Sequence, residues 1–227
     1  MRFRSACLAI LLLPCFASCG GQEPTTTIIL ARHGQTQANV DSILAGRRLD
    51  ATLTETGIAQ AKRLGQALSA QTFSAFYCST LTRTYETGNY ALAAIPNQPT
   101  LEATKLSGLD DVDYGQATGL TEAEAAKQFG GTGFPADFGP IDDPNFKPKF
   151  TEENTYQWFA RFEGALKEIG AKEKGHRVLV VSHGASYYWG QLHFGTDRVT
   201  GFGNAAYAEI TFRNGEFSLV SWHSQLN

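Results

Sequence analysis

Residues 28–39 read IILARHGQTQAN. The aliphatic run Ile28–Ala31 suits a strand buried on both faces. The abrupt change to Arg32, His33, Gly34, Gln35, Thr36 and Asn39 then sets polar groups at the strand's end, where Gly34 permits a tight turn. Far along the chain, residues 177–184 read RVLVVSHG and repeat the arrangement, closing an aliphatic run with His183 and Gly184. Only five histidines occur in the chain, so two His-Gly pairs, each ending a strand candidate, need a common explanation. Adjacent parallel strands would bring both imidazoles to one rim. His176, His193 and His223, in a loop, on a helix face and in a terminal strand, read as structural.

Working outward, the chain alternates strand-like and helix-like segments. Strands are expected at Thr27–Arg32, Phe73–Ser79, Thr100–Lys105, Arg177–His183, Tyr207–Arg213 and Phe217–Trp222. Helices are expected over Thr54–Ala70, where Ile58, Ala61, Leu64 and Leu68 recur at helical spacing, over Glu153–Ala171, with the stripe Trp158, Phe162, Leu166 and Ile169, and over Ala185–Leu192. The alternation predicts an α/β fold, a three-layer α/β/α sandwich around a mainly parallel, doubly wound sheet. In such sheets ligands sit beyond the carboxyl ends of the strands, which is where both His-Gly pairs fall.

The 227 residues, 42% hydrophobic and 18% charged, make enough core for one ordinary domain. A formal net charge of −3 provides no global field for a polyanion, so nucleic acid is not an expected partner and anion recognition must be local. The N-terminal end differs from the rest. Arg2 and Arg4 precede an apolar run from Ala6 to Ala17, too short for a mature membrane span but suited to a signal peptide over residues 1–18. It closes in FASCGG, which resembles the lipobox of bacterial lipoproteins, with Cys19 as the lipidated residue and Phe16 in place of the usual leucine. The implied location is the periplasm or cell envelope, with a lipid on Cys19 as the chain's link to a membrane. Residues 19–26 form a linker and residues 27–227 the domain. Cys7 and Cys15 fall in the signal segment, so Cys78 lacks a disulfide partner and reads as a buried, inert thiol.

Five stretches stand in order: ARHGQTQAN, LDATLTETGIAQA, CSTLTRTYET, LDDVDYGQATGLT and VLVVSHGAS. Together they resemble the histidine phosphatase superfamily, which includes phosphoglycerate mutases and many small-molecule phosphatases, over Thr27 to about Trp222. The resemblance implies that His33 is a nucleophile that takes up the phosphoryl group, and that Arg32, Arg83 and His183 bind that group. It also implies contacts to substrate from Gly34, Gln35, Thr36, Asn39 and Gly184. The residue chemistry agrees. A phosphomonoester carries close to two negative charges, and the planar forks of Arg32 and Arg83 match its oxygens better than lysine would. His33 attacks only if one ring nitrogen is unprotonated, so the other must donate, a backbone carbonyl being the expected acceptor. Neighbouring cations further disfavour the imidazolium. No metal or cofactor is implied, and the sequence has no P-loop, HExxH or spaced carboxylate cluster.

The family's acid is often a glutamate four residues before the glycine of an aromatic-Gly pair. Here LDDVDYG places Asp111 there, one methylene shorter, a reach deficit of about 1.5 Å; Asp110 and Asp113 stand beside it as alternatives. Residues 106–150 read as a small cap insertion in which Phe134, Phe138, Phe146 and Phe150 line a pocket or form a small core, and Lys147 or Lys149 could meet a second anion. Because DVDYG replaces the ERHYG-like stretch of the mutases, and an exported protein meets few glycolytic intermediates, the expectation is a phosphatase acting on a small phosphorylated molecule. The alternatives are a mutase-like phosphotransferase and a non-catalytic lipoprotein that binds a phosphorylated ligand. Oligomeric state is not legible.

Overall fold

A computed structural model describes residues 23–130 and 135–226. The signal segment, Cys19 and Phe134 lie outside the described residues. Six strands form one sheet: β1 (Thr26–Arg32), β2 (Ala75–Cys78), β3 (Ala103–Lys105), β4 (Arg177–Ser182), β5 (Tyr207–Arg213) and β6 (Glu216–His223). Their order is β3-β2-β4-β1-β5-β6. The first four run parallel, β5 pairs antiparallel with β1, and β6 pairs antiparallel with β5. The sheet is therefore mixed, with four parallel strands from the β3 edge to β1 and the antiparallel β5 and β6 at the other edge, and the expected α/β architecture holds.

Among the described residues six α-helices accompany it: α1 (Gln37–Val40), α2 (Glu55–Ala67), α3 (Thr82–Ala93), α4 (Glu122–Phe129), α5 (Thr155–Lys172) and α6 (Ser186–Phe194). The period-two alternation of β1 assigns its side chains to two cores. Ile29 and Ala31 pack with Leu179 and Val181 against Leu64, Leu68, Ala91 and Leu92 from the α2–α3 side. Ile28 and Leu30 pack with Val178 and Val180 against Trp158, Phe162, Leu166 and Ile169 of α5. Each of these fully buried aliphatics stabilises the fold by roughly 1.5–3 kcal/mol. The helix starts are chemical: the Thr54 side chain accepts from the Gly57 amide at 3.0 Å and the Asn154 side chain from the Gln157 amide at 2.9 Å.

The Phe73–Ser79 strand shortens at its start because the Phe73 amide and carbonyl bond the Gln98 side chain, at 2.8 and 3.0 Å, instead of a neighbouring strand. The α3 helix was not anticipated from the sequence. Its buried positions begin with Arg83, Thr84, Thr87 and Gly88, so no apolar stripe announces it.

Residues 106–150 form short turns around α4. Phe138 and Phe150 are buried with ring centroids 5.4 Å apart, and Tyr114 and Phe129 pack edge-on and tilted against them. Phe138 and Phe150 thus make a small core, whereas Phe146 lines an apolar cavity, and Lys147 and Lys149 are exposed. Cys78 is fully buried, and burial pushes its thiol up to about 11. Among the described residues no helix is long and apolar enough to cross a membrane.

Candidate active site

The register of β1 on β4 aligns Arg32 with Ser182, and the His33 amide extends the ladder by donating to the Ser182 carbonyl at 3.0 Å. The next residue on each strand is a histidine. Their ring centroids lie 5.3 Å apart, edge to face, so a sequence separation of 150 residues collapses to a single rim. A polar cavity of about 530 Å³ opens there. Arg32, His33, Thr36, Asn39, Arg83, Asp111 and Gly184 line it, joined by Glu122, Tyr114, Tyr187 and Tyr188.

The His33 imidazole is 3% exposed. Its Nδ1 is 2.7 Å from the Gly34 carbonyl, which can only accept, so the proton resides on Nδ1 and the Nε2 lone pair is free. Burial, and then the charges of Arg83 and Arg32, hold its pKa well below the ordinary value. The sequence argument rested on the cations alone; burial is the larger cause. Arg83 reaches the site from the first turn of α3. Its Nη1 donates to the Leu49 carbonyl at 3.1 Å, and its Nη2 donates to the Gly46 carbonyl at 2.8 Å and to Asp111 Oδ2 at 3.2 Å. Arg32 donates to the Phe202 carbonyl at 2.7 Å, and its buried Nε has no partner among the described residues. Two guanidinium groups are thus fixed before any ligand arrives, and one retains an unused donor, which is what preorganised anion binding requires.

His183 is 1% exposed and sits behind the cavity wall instead of on it. Its Nε2 meets the Ser79 hydroxyl at 2.9 Å. Its Nδ1 has no hydrogen bond and lies 3.6 Å from Asp111 Oδ2. Burial and the Arg83 charge keep it neutral as well.

The three aspartates separate by their partners. The Asp110 carboxylate accepts from the Thr80 amide and hydroxyl, both at 2.8 Å. Asp113 pairs with Arg48 and accepts from the Gly115 amide, which hold it below the usual carboxylate range. Only Asp111 of the three faces the cavity. Burial raises its pKa, and the neighbouring Arg83 charge only partly opposes this.

The other expected residues divide. Thr36 and Asn39 line the cavity. Asn39 Oδ1 accepts from the Thr36 amide at 3.1 Å and from Asn204 Nδ2 at 3.2 Å, so its NH2 group is what remains for a ligand. Gly34 and Gln35 do not line the cavity. Their backbone packs on the first turn of α2: the Thr54 amide donates to the Gln35 carbonyl at 2.9 Å, and a Cβ on Gly34 would lie 2.5 Å from the Gly57 carbonyl oxygen. A Cβ on Gly57 would in turn run into the Gln35 carbonyl oxygen, which explains the glycine in TLTETG. Sequence reading missed Ser79 and Asn204 as site residues and gave no role to the tyrosines of α6. Among the described residues no group of three His, Cys, Asp or Glu side chains is placed to hold a metal ion.

A second cavity, of about 550 Å³, is mostly apolar and lies between α5, α6 and the insertion. Tyr188 lines both cavities, and Pro135 and Ala136, the first described residues after 131–134, line this one.

Comparison with known proteins follows the same outline. The profile of the histidine phosphatase superfamily (branch 1) matches residues 28–225. A 2,3-bisphosphoglycerate-dependent phosphoglycerate mutase from Parvibaculum lavamentivorans is 32% identical over 165 residues, 70% of this chain and 75% of that protein. A mutase of the same name from Methylocella silvestris is 38% identical over 105 residues; the match spans 45% of this chain and half the length of that relative. Among solved structures, a mycobacterial glucosyl-3-phosphoglycerate phosphatase superposes with a TM-score of 0.69 at 23% identity, covering 88% of this chain and all of that one. At that identity the likeness concerns the fold.

Proposed function

Because the chain belongs to the histidine phosphatase superfamily, we propose that it is a metal-independent phosphomonoesterase working through a phosphohistidine on His33. The observation that supports this most is the state of that imidazole: Nδ1 committed to a carbonyl, Nε2 free, and two guanidinium groups beside it. In the first step the Nε2 lone pair attacks phosphorus, and the bond from phosphorus to the leaving oxygen breaks with its electron pair going to that oxygen. Asp111, whose pKa burial raises and a bound phosphate dianion would raise further, gives its proton to the departing alkoxide. Arg32, Arg83 and the amide of Asn39 hold the equatorial oxygens, and His183 Nδ1, 5.3 Å away ring to ring, completes the set once ligand is bound. Water then attacks phosphorus, the Asp111 carboxylate takes its proton, and inorganic phosphate leaves with His33 restored.

The substrate is a small monoester whose alcohol is neutral. Among the described residues the cavity lining has no Lys or Arg beyond Arg32 and Arg83, and it includes Glu122; a second anion would meet one like charge there. A mutase is the second reading, favoured by the names of the curated relatives. Export and a lipid on Cys19 belong to the proposal too.

Turnover of p-nitrophenyl phosphate in excess EDTA that disappears in His33→Ala is the expected result, together with no isomerisation of 3-phosphoglycerate after priming with 2,3-bisphosphoglycerate. Isomerisation faster than hydrolysis would replace the phosphatase with the mutase. Absence of both activities from pH 4 to 9 would leave a binding protein. For the acid, Asp111→Asn should slow the formation of phosphoenzyme in rapid quench roughly 100-fold with an alkyl phosphate and under about ten-fold with p-nitrophenyl phosphate, whose leaving group needs no proton.

A further inference from the structure

The shorter acid at position 111 poses a problem of reach. A glutamate adjusts its carboxyl through an extra torsion, whereas an aspartate sits where its main chain puts it, so the backbone around Asp111 has to be held.

That backbone is gripped from α5. Arg161 Nη1 donates to the Gly108 carbonyl at 3.1 Å and the Asp110 carbonyl at 2.7 Å, and Nη2 donates to the Asp111 carbonyl at 2.6 Å. The guanidinium is itself fixed by Glu153, with Nε on Oε1 at 2.6 Å and Nη2 on Oε2 at 2.9 Å. Glu153 Oε2 also accepts from the Asp113 amide at 3.0 Å. The pair therefore holds the chain on both sides of Asp111. Both side chains are largely buried, at 20% and 12% exposure, where charge-assisted bonds of this geometry are strong. The loop also packs tightly on the helix: a Cβ on Gly108 would lie 2.8 Å from the Ala165 Cβ and 2.9 Å from the Arg161 carbonyl oxygen. A lysine could not reproduce five donors in one plane.

We propose that Arg161, oriented by Glu153, is a positioning residue that sets the reach of the Asp111 carboxyl toward the leaving oxygen by fixing main-chain carbonyls on either side of it. This rests on the reading of Asp111 as the acid. Arg161 touches no reacting atom in this scheme, so its loss acts on the step that needs Asp111. A bare staple between helix and loop would instead affect stability, or every substrate equally.

The test is Arg161→Met in the full chain, assayed with glycerol 2-phosphate and with p-nitrophenyl phosphate. With the alkyl ester the rapid-quench rate of phosphoenzyme formation falls about 30-fold at nearly constant half-saturation, and with the aryl ester it falls less than about three-fold, the scale expected for a misplaced acid. Adding Asp111→Glu to Arg161→Met restores at least about five-fold of the alkyl rate, since the longer side chain recovers the lost reach, while Asp111→Glu alone in the parent brings no gain. Equal losses on the two esters, a change confined to KM or Tm, or no rescue by glutamate would overturn the proposal. Should Arg161→Met fail to fold, Arg161→Lys and Glu153→Gln decide by the same ratio of losses. Asp111→Asn separates the two levels. If it does not distinguish the esters, Asp111 is not the acid and the positioning role falls with it; if it does and Arg161→Met does not, only the positioning role falls.

Discussion

The ends of β1 and β4 carry the same dipeptide, His-Gly, on adjacent parallel strands, yet the two histidines are prepared for different work. His33 is in the wall of the cavity and bonds a carbonyl, which cannot donate, so its tautomer is fixed and its Nε2 keeps its lone pair. His183 is behind the wall and bonds the Ser79 hydroxyl, which can donate or accept, so its free Nδ1 can follow the protonation state of Asp111, 3.6 Å away. The glycines differ as well. Gly34 packs backbone to backbone on α2, and Gly184 has only ordinary contacts to the Arg32 guanidinium. One short motif therefore encodes position on the sheet, while the partner of each ring decides what the position is used for.

The largest effect should come from the histidines themselves. His33→Ala loses about 10⁴-fold or more in kcat and traps no acid-labile phosphoenzyme in rapid quench, because the bond-forming atom is gone. His183→Ala loses about 10²- to 10³-fold but still traps it, as removal of one stabilising donor does elsewhere. Equal losses would erase the distinction.

Next come the glycines, read by chemical denaturation. Gly34→Ala should destabilise by about 1–3 kcal/mol, since a methyl group 2.5 Å from a main-chain oxygen forces the strand end and α2 apart. Gly184→Ala, whose nearest new neighbour is 3.4 Å away, should stay within about 0.5 kcal/mol.

The smallest effect sharpens what the two rings share. Both are held neutral with pKa values well below 6.5. Below that value the unfolded chain binds protons that the native chain refuses, so stability falls as pH drops from 7 through 6 toward 5. Each histidine contributes a slope approaching about 1.4 kcal/mol per pH unit. Asp111, with its pKa raised, works in the opposite sense, gaining relative stability as pH falls through its folded value. His33→Ala and His183→Ala should each flatten the curve by about one proton. Unchanged slopes would mean that the rings are charged in the native state.

The sheet and its main helices were legible because their buried faces are apolar and periodic: Ile28–Ala31, Val178–Val181, and the stripes of α2 and α5 stand out in any reading. The site was legible in its reactive side chains, since histidine, arginine and glycine at strand ends have few ordinary uses. What stayed hidden has a physical cause. α3 buries Arg83, Thr84 and Thr87, polar groups of which Arg83 lines the cavity, so the apolar pattern that marks other helices is missing there. Ser79, Asn204 and Arg161 act through single hydrogen bonds or main-chain contacts between segments distant in sequence, and no spacing rule records such meetings. Which of Asp110, Asp111 and Asp113 faces the cavity was likewise open until their partners were seen.

The buried Cys78 thiol in β2 offers a clock. In a chain begun at Gly20 it is the sole sulfhydryl, and it lies on the same strand-to-helix passage that delivers Ser79 and Arg83. A disulfide reagent can reach it only when the centre of the sheet opens, so the rate of modification in native buffer measures how often the molecule loses its catalytic frame. Slower modification in the presence of a phosphate analogue would then report occupancy without any turnover at all.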